Sequence, residues 1–168
     1  MVRVYGDDDF PVLAQPASPQ AIALAEAHLG LTFPPSYREF LQESNGVRDF
    51  SDEIDLVSVE DILSSEYAAL CEEIRGLGWQ IGERLLVEGL LIGSRPGYRN
   101  VFVIDSTVEA DERGERPVVY WSDSTLLRAA SFREFLGEWC DVTYELLVNA
   151  RQKAREILPG SPMPRRQD

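Results

Sequence analysis

The chain has 168 residues with 16 basic and 29 acidic side chains, a formal charge of −13, and a length that fits one domain able to bury about 70% of its unfolded surface. That charge opposes binding to nucleic-acid backbones and anionic membrane surfaces and favours basic partners. Cys71 and Cys140 stand far apart without a neighbouring Cys or His, and His28 is the single histidine, so no metal site, cofactor or redox pair is expected, only two reduced and mostly buried thiols.

Residues 1–17 carry the run Asp7-Asp8-Asp9 and two prolines, which suits an extended lead-in, with Val2, Val4 and Tyr5 available for a short edge strand. The start of the chain has no apolar stretch of signal-peptide length, and nowhere is an apolar run long enough to span a bilayer. A cytoplasmic protein is therefore expected. Ser18-Pro19 is a helix cap followed by the residue favoured in the first turn, and Gly30 after Leu29 is a helix stop. This predicts a helix over 19–29 with Ile22, Ala25 and Leu29 inward. Pro34-Pro35 admits a second helix only at its start, and Ser36 with Glu39 reads as a capping box. Tyr37, Phe40 and Leu41 give that helix one apolar stripe, and Asn45-Gly46 ends it.

From Val47 to Asp55, four acids interrupt Val47, Phe50 and Ile54, predicting an exposed acidic loop that enters a strand near 54–57. Ser58 with Glu60 and Asp61 opens another helix, predicted to run through Ile74 and to stop at Gly76-Leu77-Gly78. The period then changes. Leu85-Leu86-Val87, Leu90-Leu91-Ile92, Val101-Phe102-Val103-Ile104 and Pro117-Val118-Val119-Tyr120-Trp121 are short apolar runs bounded by turn residues, which predicts buried strands. Asp105 to Arg116 should be an exposed connection between antiparallel neighbours, and Gly93-Ser94-Arg95-Pro96-Gly97 a strand-end turn. Ser131 with Glu134 is a second capping box, opening a long helix over 132–157. Residues 158–168, rich in Pro and Gly, should form a disordered tail. The sum is an α+β domain over 18–157: a mainly antiparallel or mixed sheet packed by N-terminal helices and a long C-terminal helix.

Chemistry is harder to find. His28 suits a surface or capping position, and neither cysteine has a base beside it in the sequence. Gly93 to Gly97 lacks the Lys-Ser/Thr ending of a phosphate-binding loop, and Pro96 removes an amide. Trp79, Trp121 and Trp139 could anchor a partner, but at these apolar spacings they are expected in the core. A small-ligand pocket, if present, would be sought around Tyr98, Arg99 and Trp121.

The run Leu31-Thr32-Phe33-Pro34-Pro35-Ser36-Tyr37-Arg38-Glu39-Phe40-Leu41 with Asn45-Gly46 resembles the opening motif of the SUKH superfamily, the Smi/Knr-like domains. The later pieces follow in that family's order: Leu56 to Ile62 as a strand entering a capped helix, Val101 to Asp105 as a central strand, and Val119 to Leu136 as a closing strand and helix. Phe33 stands where the family often has Leu, and no family pattern covers Asp141 onward. The resemblance spans about residues 20–140. It implies a non-enzymatic binding domain, either an immunity protein for a polymorphic toxin, often a nuclease, or a regulatory scaffold. Under the first reading the partner is a basic toxin domain, with no direct nucleic-acid or membrane contact and a monomer favoured. The candidate contacts are Asp49, Asp52, Glu53 and Asp55 in the first acidic segment and Glu109, Asp111 and Glu112 in the second, each of which would otherwise be an ordinary solvated side chain.

Overall fold

The protein is described by a computed structural model over residues 12–51 and 54–141. It divides into two compact units, Met1–Phe135 and Leu136–Asp168, and the sheet lies in the first. Seven strands, β1 (Val12–Leu13), β2 (Val47–Ser51), β3 (Ile54–Leu56), β4 (Leu90–Ser94), β5 (Val101–Ile104), β6 (Val118–Trp121) and β7 (Thr125–Ala129), pair in chain order. Every pairing is antiparallel. Helices α1 (Pro19–Leu29) and α2 (Pro35–Glu43) lie between β1 and β2, and α3 (Val59–Ile62), α4 (Ser65–Ile81) and α5 (Arg84–Glu88) between β3 and β4. Residues 132–141 are helical (α6). This is the α+β fold expected. The expected remainder of the last helix, the tail over 158–168 and the strand near Val2 to Tyr5 fall outside the described residues.

Helix α1 keeps its expected limits. Ser18 Oγ accepts from the Ala21 amide at 3.1 Å, and Gly30 adopts the left-handed φ of 68° that ends the helix. Helix α2 begins where the prolines allow, but without the expected capping box. Pro34 occupies the cap, placing Ser36 inside the first turn, where its own amide needs an acceptor. Glu115 supplies one from the β5–β6 connection, accepting from the Ser36 amide and hydroxyl at 2.8 Å each. Glu39 pairs instead with Arg133.

Three further expectations change. The acidic segment after Gly46 is a strand pair, β2 with β3, rather than a loop entering one strand. The helix opened by Ser58 breaks at Leu63, and Ser64 caps α4 afresh by accepting from the Tyr67 amide at 3.1 Å. Helix α4 then continues through Gly76-Leu77-Gly78 to Ile81 and stops at Gly82, whose φ is 74°. Gly78 is needed for packing, because a Cβ there would lie 2.9 Å from both Leu86 Cβ and Val87 Cγ2. Those atoms belong to α5, so Leu85-Leu86-Val87 is a helical turn and not a strand. A three-residue apolar run has no period by which to tell the two apart.

Both faces of the central strands are covered, which is why β4 and β5 are buried throughout and apolar except at Ser94. On one side Phe102 meets Phe135 with ring centroids 4.8 Å apart and Tyr120 at 5.3 Å. Phe132 meets Tyr37 at 5.1 Å and Phe40 at 4.9 Å, and Tyr37 meets Phe33 at 5.3 Å. On the other side Tyr67 of α4 donates its hydroxyl to the Leu91 carbonyl at 2.8 Å. Asn45-Gly46 joins α2 to this core. Asn45 Oδ1 accepts from the Val59 amide at the start of α3, at 2.8 Å, while Gly46 has φ 89° and would place a Cβ 2.7 Å from the Leu56 carbonyl oxygen.

Candidate functional site

The first acidic segment is organised around an arginine. Asp55 opposes Ser94 across the β3–β4 pair, which brings Arg95, just past the end of β4, within reach of β2 and β3. Arg95 Nη2 donates to Asp55 at 2.6 Å and to Asp49 at 2.7 Å. The Asp49 amide donates to Asp55 Oδ1 at 2.7 Å, held by a left-handed φ of 53° that aspartate tolerates better than most residues. Arg48 lies 3.6 Å from Asp55 and donates to Asp61 at 2.8 Å, and Asp61 returns to the Ser58 amide at the start of α3, at 2.9 Å. Burial works against ionisation of Asp55, but Arg95, the Asp49 amide and Arg48 outweigh it and hold the carboxyl below its ordinary value. Asp55 is thus engaged within the fold, whereas the Asp49 side chain remains 64% exposed. Asp52 and Glu53 lie outside the described residues.

The second acidic segment sits elsewhere. Leu90 opposes Ile104, so the β5–β6 connection leaves from the opposite end of β4, about 13 Å away at 3.3 Å per strand residue. Asp105, buried at its root, accepts from the Thr107 amide at 2.9 Å and from Arg128 at 2.7 Å. Asp111 Oδ1 accepts from the amides of Arg113 and Glu115 at 2.9 and 2.8 Å, folding the connection onto itself. Glu109 and Glu112 are exposed and form no ion pair with the described residues. The five predicted contacts among the described residues therefore do not converge. Asp49 and Asp55 share Arg95 at one end of the sheet, and Glu109, Asp111 and Glu112 stand at the other.

A groove of about 880 Å³ opens between the Leu29–Pro35 turn and the β5–β6 connection. Its charged walls are already partnered: Arg38 with Glu26, Glu39 with Arg133, Glu88 with Arg84, and Arg116 with the Val108 carbonyl. Of these, Arg116 alone is held by a neutral group rather than by an opposite charge.

Catalytic chemistry finds little support in the candidate nucleophiles. His28 is exposed in the last turn of α1. Burial pushes the Cys71 thiol up despite opposing contributions from Tyr67 and Arg75, which disfavours a thiolate. Cys140 is exposed, correcting the expectation of two mostly buried thiols. Among the described residues no group of His, Cys, Asp or Glu is arranged to hold a metal ion, and no helix is long and apolar enough to cross a membrane.

The tryptophans also divide. Trp121 is buried, while Trp79 is 72% exposed, contrary to the expectation of a core position. Ending the helix at Gly76 hid this. With α4 continued to Ile81, Trp79 falls seven residues after Glu72 on the same polar face. Tyr98 and Arg99 line a small groove, but against α4 rather than Trp121.

The profile of the SMI1/KNR4 family (SUKH-1) matches residues 16–138. The chain belongs to the SMI1/KNR4 family. That match spans strands β2 to β7, α1 to α5 and most of the described part of α6, leaving out β1, and its start agrees with the packing of Ala17, whose amide donates to the Leu41 carbonyl at 2.8 Å. A similar protein is the uncharacterized protein YnaB of Bacillus subtilis (strain 168), 50% identical over 48 residues, or 29% of this SMI1/KNR4 chain and 33% of that protein. The match thus spans about a third of that relative's length.

Proposed function

We propose that this SMI1/KNR4 protein is a non-enzymatic immunity protein that binds and neutralises a cognate toxin domain with a basic surface, a nuclease being the class that fits best. The observation that carries the reading is family membership combined with a charge of −13, part of it displayed by exposed acids at both ends of the sheet. A toxin that engages nucleic acid must present cations to phosphates, and an acidic protein competes for that surface. The contacts proposed are Asp49, Asp52, Glu53 and Asp55 at one end or Glu109, Asp111 and Glu112 at the other. Because the two sets lie at opposite ends of β4, one compact patch on a toxin engages one set first. The site of action is the cytoplasm, where an incoming toxin meets its target.

Coexpression with the toxin domain encoded beside this gene tests the reading. A stoichiometric complex and rescue of growth are expected. Recovery of other cellular proteins without rescue would favour the regulatory scaffold that the same family accommodates, and failure to rescue any neighbouring toxin would reject immunity. Charge reversal at Asp49, Asp52 and Glu53 together should slow association at low salt, and unchanged kinetics would remove the first acidic segment from the interface.

A further inference from the structure

One face of α4 has the composition of a binding surface. Trp79 is 72% exposed on a helix whose Tyr67 and Ile74 are buried. An exposed tryptophan leaves a large apolar area in water, and tryptophan is among the residues most enriched where a few side chains dominate binding. Beside it, Glu72, Glu73, Gly76 and Leu77 form with Tyr98 and Arg99 a groove of about 260 Å³.

Gly76 is the second observation. It lies in the interior of α4, where glycine is the least favourable residue except proline. Gly78 is required by α5, as described above. A Cβ on Gly76 would meet nothing within 4 Å, so no packing constraint among the described residues accounts for a glycine there. What it provides is bare backbone in the groove wall, open to close approach by another chain.

We infer that Trp79 and the Gly76 groove form the docking surface for a basic segment of the partner protein, with Trp79 as anchor and partner cations directed to Glu73 and Glu72. Glu73 forms no ion pair among the described residues, and Glu72 pairs with Arg75. The surface continues into the first acidic segment, because the Tyr98 amide donates to the Arg95 carbonyl at 3.1 Å and Arg95 holds Asp49 and Asp55. A second copy of this chain fits less well, since a twofold contact here brings together two chains that each carry a charge of −13. This inference rests on the reading that the chain binds a basic protein, and it selects the Arg95 end of the sheet over the Glu109 end.

The test uses the full chain and a catalytically inactivated toxin domain encoded beside the gene, with affinities from titration calorimetry and folding checked by thermal unfolding. Trp79→Ala and Gly76→Leu should each weaken binding about tenfold or more while the unfolding midpoint does not fall below the wild-type value. Glu73→Lys should weaken it most at low salt, and Leu24→Ser, an exposed apolar position on α1, should stay within about twofold. Wild-type binding that Trp79→Ala and Gly76→Leu leave within about twofold overturns this surface and leaves the immunity reading intact. Absence of wild-type binding to every neighbouring toxin overturns both. A concentration-dependent dimer abolished by Trp79→Ala assigns the face to self-association and overturns the partner.

Discussion

Around Tyr37, the rings of Phe33, Phe40 and Phe132 close upon one another between two helices and the turn before them. At the Ser94 end of β4, Asp49, Asp55, Arg48 and Arg95 also meet one another, yet Asp49 and Tyr98 remain in water. The first region gains stability from area removed from solvent. The second gains little from partly solvated ion pairs and instead fixes where charge is displayed. Burial thus sets the fold, and the paired charges set the surface beside it.

The contrast breaks most visibly at Phe132, which is 1% exposed and touches two other rings of the nucleus. Phe132→Ala should destabilise the protein by about 3 to 5 kcal/mol in urea unfolding. A loss under about 1 kcal/mol would show that the aromatic nucleus is not what holds α2 and α6 together. Charge removal at the other region should cost less. Asp55→Asn leaves Arg95 and Arg48 without their shared carboxylate, and a loss of about 1 kcal/mol at neutral pH is expected, with a flatter decline in acid.

The acid limb follows from the direction of the shifts. For Asp55, Asp61 and Asp105, burial opposes ionisation, but hydrogen bonds from Arg95, Ser58 and Thr107 and the nearby arginines lower the folded pKa below the ordinary aspartate value. A lowered folded pKa contributes stability that is fully present above the unfolded value near 4 and is lost as pH falls through the folded one. Unfolding midpoints should therefore be level from neutrality to about pH 4.5 and drop below pH 4. A protein equally stable at pH 3 and pH 7 would contradict the pairings.

Two smaller effects sharpen the comparison by sign. The Tyr37 hydroxyl is buried without a hydrogen-bond partner among the described residues, so Tyr37→Phe should stabilise by about 1 kcal/mol. Gly76→Ala should stabilise by about 0.5 to 1 kcal/mol, because the added methyl meets open space and the helix gains propensity. Destabilisation by either variant would place an unseen contact at that position.

Much of this fold is readable from local patterns. Ser18, Gly30 and the paired prolines mark α1 and α2 because caps and proline act within one helical turn. The strands β4, β5 and β6 show as apolar runs because both sheet faces are buried. What escapes is set by residues far away in sequence. Glu115 caps α2 across 79 positions, and α5 decides that Gly78 continues a helix. Edge strand β7 is mostly exposed, so it carries no buried period to find. The same distance effect governs the site. Asp49 and Asp55 are legible as acids, but that Arg95 holds them requires the register of β3 on β4. Trp79 is visible as a residue while its exposure depends on where α4 ends.

The proposed binding of a basic protein through the Arg95 and α4 end of the sheet is tested by stopped-flow association with the inactivated neighbouring toxin across a salt series. For wild type the account predicts an association rate that falls steeply with added salt, and a dissociation rate that Trp79→Ala raises about tenfold. A salt-independent association rate together with unchanged dissociation of Trp79→Ala would contradict it.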